Sequence, residues 1–517
     1  MKWTVDGRAA GADWSSAKLL TYSSCVDPPR ADFARGTGFG PWASGSPTIP
    51  IRDSREVGSS RFPAEDTVVN QLTRPRPVSA RAAPTGLDVV SALLANKDFQ
   101  PTQPRNLEEA GLPESLLDSL ICKHLAVVGN DTGRSIADNL CLSPAILADR
   151  FQKLSARQVL THKGSAPLGD YIYVLTEQGR ELAMHLTDAC AYRGPAPVPL
   201  NDYVTSVDAQ TITAEAPKRQ ELERAFGDIS IDPALFARLG PAVNSGTGLF
   251  LYGAPGNGKT TIAERITLCF GQEIWIPKTL IAEGEIIKFY DPAYHVSVDG
   301  SQRRLLRDKG FDDRWIKVRR PTVIVGGELT LDSLEIRHNP RSNVSEAPLQ
   351  LKSNCGSLLI DDFGRQRVNH LELLNRWIVP LEKRYDFLSL ASGKKIQVPF
   401  EQLIIFSTNL DPRELVDEAF LRRIPYKINV PDPDETEFHR LFELYAPHVG
   451  CAYDREAVEH LLARHYRPGR RPLRRCHPRD LLLQVQHYCS YNAQPMEMKP
   501  ELLDLVVDNY FTVVGER

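Results

Sequence analysis

Three short runs of apolar residues, each ending in polar side chains, punctuate the second half of the chain: Gly248-Leu249-Phe250-Leu251-Tyr252, Ser357-Leu358-Leu359-Ile360 and Leu403-Ile404-Ile405-Phe406. Unbroken runs of this length predict strands buried on both faces. Val323-Ile324-Val325 predicts a further strand followed by a turn, and residues 260 to 270 read as a helix. From about residue 205 to the C-terminus strands and helices alternate, the pattern of a parallel sheet with helices on both sides.

Upstream the period changes. Residues 113–121 begin an amphipathic helix, and a second, short one runs from about Ser135 to Leu140. Ser143-Pro144 predicts an N-cap followed by proline at the first helical position, opening a helix from 145 to about 158. Then come Val159-Leu160-Thr161, a Gly/Pro turn over 164–169, the alternating strand 171–175, and a helix from Glu177 to about Ala189 capped by Thr176. Helix, helix-turn-helix, two-stranded wing and helix together resemble a winged-helix domain over residues 86–195. A proline-rich break, 194–199, predicts a semi-rigid spacer after it. Residues 1 to about 85, rich in Pro, Gly, Ser, Arg and Ala, keep neither period and predict a disordered tail. Its aromatics Trp3, Trp14, Phe33 and Phe39 are either short docking points or part of an idle tail.

Composition narrows the class. At 517 residues, with 42% hydrophobic and 25% charged residues, the chain has room for two to four soluble domains. A net charge of -3 argues against attachment to nucleic acid by bulk charge, while leaving a local basic surface open. The nine cysteines are scattered without a C-x-x-C pair, which predicts reduced thiols, a cytoplasmic setting and no structural zinc. His295, His370 and His477 are too isolated for a metal site. Residues 1–14 lack the apolar core of a secretory signal, and no stretch reaches membrane-spanning length, so no membrane association is expected.

The candidate chemistry sits at the ends of the apolar runs. Gly253-Ala254-Pro255-Gly256-Asn257-Gly258-Lys259-Thr260 follows one strand and opens a helix, the context a phosphate loop requires. Its glycines let backbone N–H groups turn toward phosphates, and the helix N-terminus adds a favourable dipole. The motif predicts that Lys259 contacts the β- and γ-phosphates, that Thr260 ligates Mg²⁺, and that Thr261 belongs to the same nucleotide site. Asp361-Asp362, ending the strand 357–360, match a Walker B segment, with Asp361 on Mg²⁺ and Asp362 polarising water. Asn409, ending the strand 403–408, is placed to reach between γ-phosphate and water. Taken singly, paired acids or an amide at a strand end are ordinary caps; their order after a phosphate loop gives them weight. Arg422 and Arg423 end a helical segment, where cations are commonly solvated charges at a favourable dipole position.

In this order the motifs resemble the AAA+ ATPase family, over roughly residues 205–517. The resemblance implies a doubly wound P-loop core (196–433), a helical lid (434–517), ATP and Mg²⁺ as ligands, and a homo-oligomeric ring, commonly a hexamer. It casts Arg422 or Arg423 as a finger reaching a neighbour's nucleotide, a role worth about 10³–10⁵ in rate. Arg479, in Cys476-His477-Pro478-Arg479-Asp480-Leu481, resembles a γ-phosphate contact from the lid, with Arg470, Arg471, Arg474 and Arg475 as alternatives. Most family members end the Walker B strand in Asp-Glu; this chain has Asp-Asp, as helicase-loader and transposase-helper members do. Between phosphate loop and Walker B, the basic stretch 317–321 and the aromatics Phe289, Tyr290 and Tyr294, with His295, belong either to substrate-gripping pore loops or to a surface insertion.

Arg150, Lys153 and Arg157 on the third helix, with Lys163 at the wing, allow DNA contact; winged helices serve equally as protein-docking modules. The leading expectation is an ATP hydrolase that remodels a protein or nucleic-acid partner. The alternatives are an ATP-controlled DNA-binding switch and a nucleotide-binding scaffold with negligible turnover.

Overall fold

The computed structural model describes residues 99–511, apart from 228, 230, 272, 299–309, 416 and 417. The expected N-terminal tail lies outside the described residues. Helices Glu114–Val128, Gly133–Leu140, Pro144–Ala156 and Glu177–Ala189 surround an antiparallel sheet of Asn130–Thr132, Asp170–Leu175 and Leu160–Ala166, in that order. Local chemistry sets the helix starts. Thr132 accepts from Ser135 N and Thr176 from Gly179 N, and Pro144 occupies the first turn. Ser143 stands before that proline but its side chain makes no capping bond. Leu117, Ile121, Ile136, Leu147 and Leu154 form the core, and Phe151 stacks on Tyr173 at 4.3 Å.

The proline-rich stretch is not the spacer the sequence predicts. Ala196, Pro197 and Val198 are buried, and Val198–Pro199 joins the edge of a second sheet, parallel to Leu280–Ile281. That sheet runs Arg337–Asn339, Val344–Glu346, Glu285–Lys288, Thr279–Ala282, Val198–Pro199. An edge strand tolerates proline because the missing N–H faces outward. Buried Arg314, paired with Asp312, donates to Ala110 O at 2.8 Å and Pro197 O at 3.2 Å, stitching the N-terminal helices to this insert.

Within the insert, Phe289 and His295 are buried, while Tyr290 and Tyr294 are partly exposed. Tyr203 packs on Phe289 at 5.0 Å. His295 is held on both ring nitrogens, by Asp291 N at 3.0 Å and Lys352 O at 2.9 Å. Arg320, from the basic stretch, donates to Gly271 O, Gln210 O and Cys355 O, so its charge is spent inside the fold.

Five strands make the central sheet: β1 Gly248–Tyr252, β2 Thr322–Val325, β3 Ser357–Ile360, β4 Leu403–Thr408 and β5 Tyr426–Asn429. They are all parallel, in the order β2-β3-β4-β1-β5. Alternate side chains serve two cores: Phe250, Leu358, Ile360, Ile404 and Phe406 meet Trp377 and Leu373 on one face, while Leu249, Leu251, Leu359, Leu403 and Ile405 meet Ile262, Ile266 and Leu239 on the other. Burial on both sides explains why these strands read as unbroken apolar runs. Between neighbours β1 and β4, whose connections run to opposite directions of the sheet, a crevice opens at the strand C-termini, where ligands of such sheets bind.

A separate helical cluster closes the chain: Glu435–Tyr445, Arg455–Leu461 continuing through the π-helical turn Leu462–Tyr466, Cys476–Tyr491 and Pro500–Tyr510. Phe438, Phe442, Leu461, Leu481, Val485 and Leu503 are its core. Among the described residues no helix is long and apolar enough to cross a membrane.

Candidate functional site: a phosphate loop under a helical lid

The loop leaving β1 has three glycines in left-handed or related conformations: Gly253 (φ 139°), Gly256 (φ 83°) and Gly258 (φ 79°). Two are also sterically required. A Cβ on Gly253 would fall 2.4 Å from Val430 O, and one on Gly256 2.5 Å from Cys476 Sγ. The helix Lys259–Thr267 starts directly after Gly258. Lys259 turns back over the loop, donating to Gly253 O and Ala254 O at 3.0 Å each and to Asn409 Oδ1 at 2.7 Å. Burial pulls the Lys259 ammonium below the usual lysine range, against the opposing charges of Asp361 and Asp362.

The acids at the end of β3 take different roles. Asp361 Oδ2 accepts from Thr260 Oγ1 at 2.8 Å, and Asp361 Oδ1 from Asp362 N at 3.0 Å. Asp362 has φ +49°, which swings its side chain out of the strand line, and Asn409 Nδ2 donates to its Oδ1 at 3.0 Å. Lys259 can only donate and the carboxylate only accept, so the Asn409 amide has one orientation that serves both. A hydroxyl and a carboxylate facing each other beside a phosphate loop are hard oxygen donors. They fit Mg²⁺, which binds through one or two protein oxygens and fills its other positions with water and phosphate.

These groups line a cavity of about 550 Å³, within the size range of nucleotide-sized pockets. Its apolar walls come from Ile229, Ile231 and Leu235 on the core and Leu441 and Tyr445 on the lid. The lid is fastened to the loop itself. Cys476 N donates to Gly256 O at 2.9 Å, and buried Asn257 donates to Asp432 Oδ1 at 2.7 Å while accepting from Arg475 N at 3.3 Å. Arg474 pairs with Asp432, and Arg475 with Glu437.

Of the residues expected from sequence, Pro255 through Thr261, Asp361, Asp362, Asn409 and Arg479 line this one cavity, and Gly253 and Ala254 supply the carbonyls that hold Lys259. Arg479 is exposed and paired with Asp480 at 2.9 Å. Arg422 and Arg423 stand away from the cavity. Arg423 donates to Glu382 Oε1 at 2.6 Å, whereas Arg422 is exposed without an ion pair among the described residues. Sequence reading missed Asp432, the apolar wall and Arg365, which lines the cavity three residues after Asp362. Asp432 and the apolar wall give no signal because the groups they meet lie far away along the chain, and Arg365 gives none because a lone arginine in a turn is ordinary surface.

The proposed DNA-contacting helix requires a correction. Arg150 is 3% exposed and grips Asp118 through Nε at 2.9 Å and Nη2 at 2.7 Å. Lys153 pairs with Glu114 and Asp149, and Arg157 with Asp118 at 3.4 Å. The acids Glu114 and Asp118 of the helix Glu114–Val128 face this one, so Arg150 is not available to phosphates. Lys163 remains exposed.

A family described as a domain of unknown function (DUF8689) matches residues 434–509, the helical cluster beneath which the loop lies. No curated protein matches the chain. Among solved structures, NtrX from Brucella abortus in complex with ADP aligns at 13% identity and a TM-score of 0.36, over 57% of this chain and 59% of that chain. A RuvB mutant of Thermotoga maritima aligns at 12% identity and a TM-score of 0.31, over 59% of this chain and 73% of that chain. The chain therefore spans less than two thirds of the NtrX structure it aligns with.

Proposed function

We propose that the protein is an ATP hydrolase of the AAA+ kind, working as a homo-oligomeric ring, expected to be hexameric, that remodels a protein or nucleic-acid partner. The observation carrying this reading is the convergence of Lys259, Thr260, Asp361, Asp362 and Asn409, from a helix start and two strand ends, on one cavity. Backbone N–H groups of 256–260 and the helix dipole hold the β- and γ-phosphates, and Lys259 leaves its loop carbonyls to neutralise them. Thr260 and Asp361 would hold Mg²⁺, which would supply positive charge to the phosphates. Asp362 and Asn409 orient the water that attacks the γ-phosphorus, with Asp362 taking its proton. The lid, through Leu441, Tyr445 and Arg479, closes over the nucleotide. In a ring, exposed Arg422 is the better finger, since Arg423 is tied to Glu382. We read residues 99–195 as a winged-helix module, and the burial of Arg150 favours protein docking over DNA contact.

Phosphate release and ATP binding by the full chain test this. Lys259→Ala should lose nucleotide binding, and Asp362→Asn should retain ATP while releasing phosphate about 10²–10⁴-fold more slowly. Undiminished ATP binding by Lys259→Ala sinks the proposal. A second reading, a nucleotide-binding scaffold, draws on the tie between Asp362 and Asn409, which must loosen before the carboxylate can serve water. A wild type that binds ATP tightly and releases no phosphate, alone or with captured partners, selects it.

A further inference from the structure

Three arginines line the cavity, and two of them have carboxylate partners: Arg475 with Glu437, and exposed Arg479 with its neighbour Asp480. The third, Arg365, is exposed and has no side-chain hydrogen bond or ion pair among the described residues. Its turn is nevertheless fixed. Arg365 N donates to Asp362 O at 3.0 Å, and Gln366 bridges the turn by donating to Asp361 O at 3.0 Å and accepting from Gly364 N at 2.8 Å. Beyond it, Arg367 N and Val368 N bond to Gly327 O and Leu329 O. A fastened turn thus presents one free guanidinium beside Asp362, in a cavity built for phosphates.

We propose that Arg365 is a catalytic arginine that acts within its own subunit, its guanidinium contacting the terminal phosphate of the bound nucleoside triphosphate. This rests on the hydrolase reading above. As the water oxygen bonds to the γ-phosphorus, the bond to the β–γ bridging oxygen breaks and its electron pair leaves with the diphosphate. The water proton passes to Asp362 and on to solvent. Arg365 holds the charge gathering on the γ-phosphoryl oxygens, which a planar, permanently charged fork suits better than an ammonium.

The test compares ATP and ADP affinities, and binding of ADP with aluminium fluoride, in wild type, Arg365→Ala and Arg365→Lys. The expected result is unchanged ADP affinity with a loss of about 10-fold or more for ATP and the fluoride complex in Arg365→Ala, partly restored by lysine, and phosphate release lowered about 10²–10³-fold. Unchanged ADP affinity also shows that the variant is folded. A mixture of Arg365→Ala and Lys259→Ala subunits should stay inactive, since neither supplies a complete site. Restored turnover in the mixture, or an unaltered ATP-to-ADP ratio in Arg365→Ala, overturns the proposal while leaving the hydrolase reading intact. A wild type without nucleotide affinity overturns both.

Discussion

Asn409 accepts a hydrogen bond from Lys259 at 2.7 Å, and through the other end of the same amide it holds Asp362 at 3.0 Å. The lysine of the phosphate loop and the second acid after β3 are therefore joined by one side chain at the end of β4. Under the proposed function, phosphates that draw Lys259 away would free one end of this amide for water.

Replacing that amide separates its two functions. Asn409→Ala should leave ATP affinity within a few-fold and lower phosphate release by about 10–10²-fold, as loss of a positioned polar group does. Asn409→Asp can still accept from Lys259 but loses the donor to Asp362 and sets a second carboxylate against it, so phosphate release should fall at least as far as in Asn409→Ala. Phosphate release unchanged in both variants would rule out the assigned contact.

Proton exchange on nucleotide binding follows from the buried lysine. Burial lowers the Lys259 pKa in the free protein, so its proton is lost at lower pH than from an ordinary lysine. Phosphate charge favours the ammonium and raises that pKa, so binding takes up a proton in the window between the two values. ATP affinity should fall as pH rises through the lowered free-state pKa. Calorimetry in buffers of different ionisation enthalpy measures the uptake, and its absence across the alkaline range would contradict this placement of Lys259.

The contact between loop and lid makes Asp432 a hinge lock. Asp432→Ala strands the amide of Asn257, which is 1% exposed, and releases Arg474. Leaving a buried donor unpaired costs about 1–3 kcal/mol. Amide exchange in the helix Cys476–Tyr491 should quicken and ADP should leave faster, with β1 to β4 protected as before. Equal exchange in variant and wild type would show that the lid is held by other contacts.

Arg150 gives a stability prediction where the sequence suggested recognition. Arg150→Ala leaves buried Asp118 with only the longer contact to Arg157 and should destabilise the N-terminal helices by up to about 3–5 kcal/mol. In urea the N-terminal unfolding signal should move to lower concentration. An unmoved midpoint, with weakened binding to duplex DNA, would return Arg150 to the surface role.

The strands and the phosphate loop were legible because their signals are local. β1, β3 and β4 are unbroken apolar runs whose polar ends line the candidate site, and Gly253 to Thr260 carries its own turn and helix start. The N-terminal helices were legible for the same reason, from Pro144 and Thr176, although the Thr132 cap was not read from sequence. Illegible were the contacts that chain distance hides: Arg150 with Asp118, Asn257 with Asp432, and the burial of Phe289 and Arg320. A basic residue on an amphipathic helix looks the same in sequence whether it faces water or an acid from the neighbouring helix. The prolines of 194–199 misled similarly, since the pattern that suits a free spacer also suits an outward-facing sheet edge.

Those prolines have a mechanical consequence. With Val198 added to the sheet and Arg314 bolted to carbonyls on both sides, the N-terminal helices and the insert that follows the phosphate loop share one stiff frame. Among the described residues, movement of the N-terminal helices against this insert would have to break the Arg314 bonds and the Val198–Pro199 sheet edge.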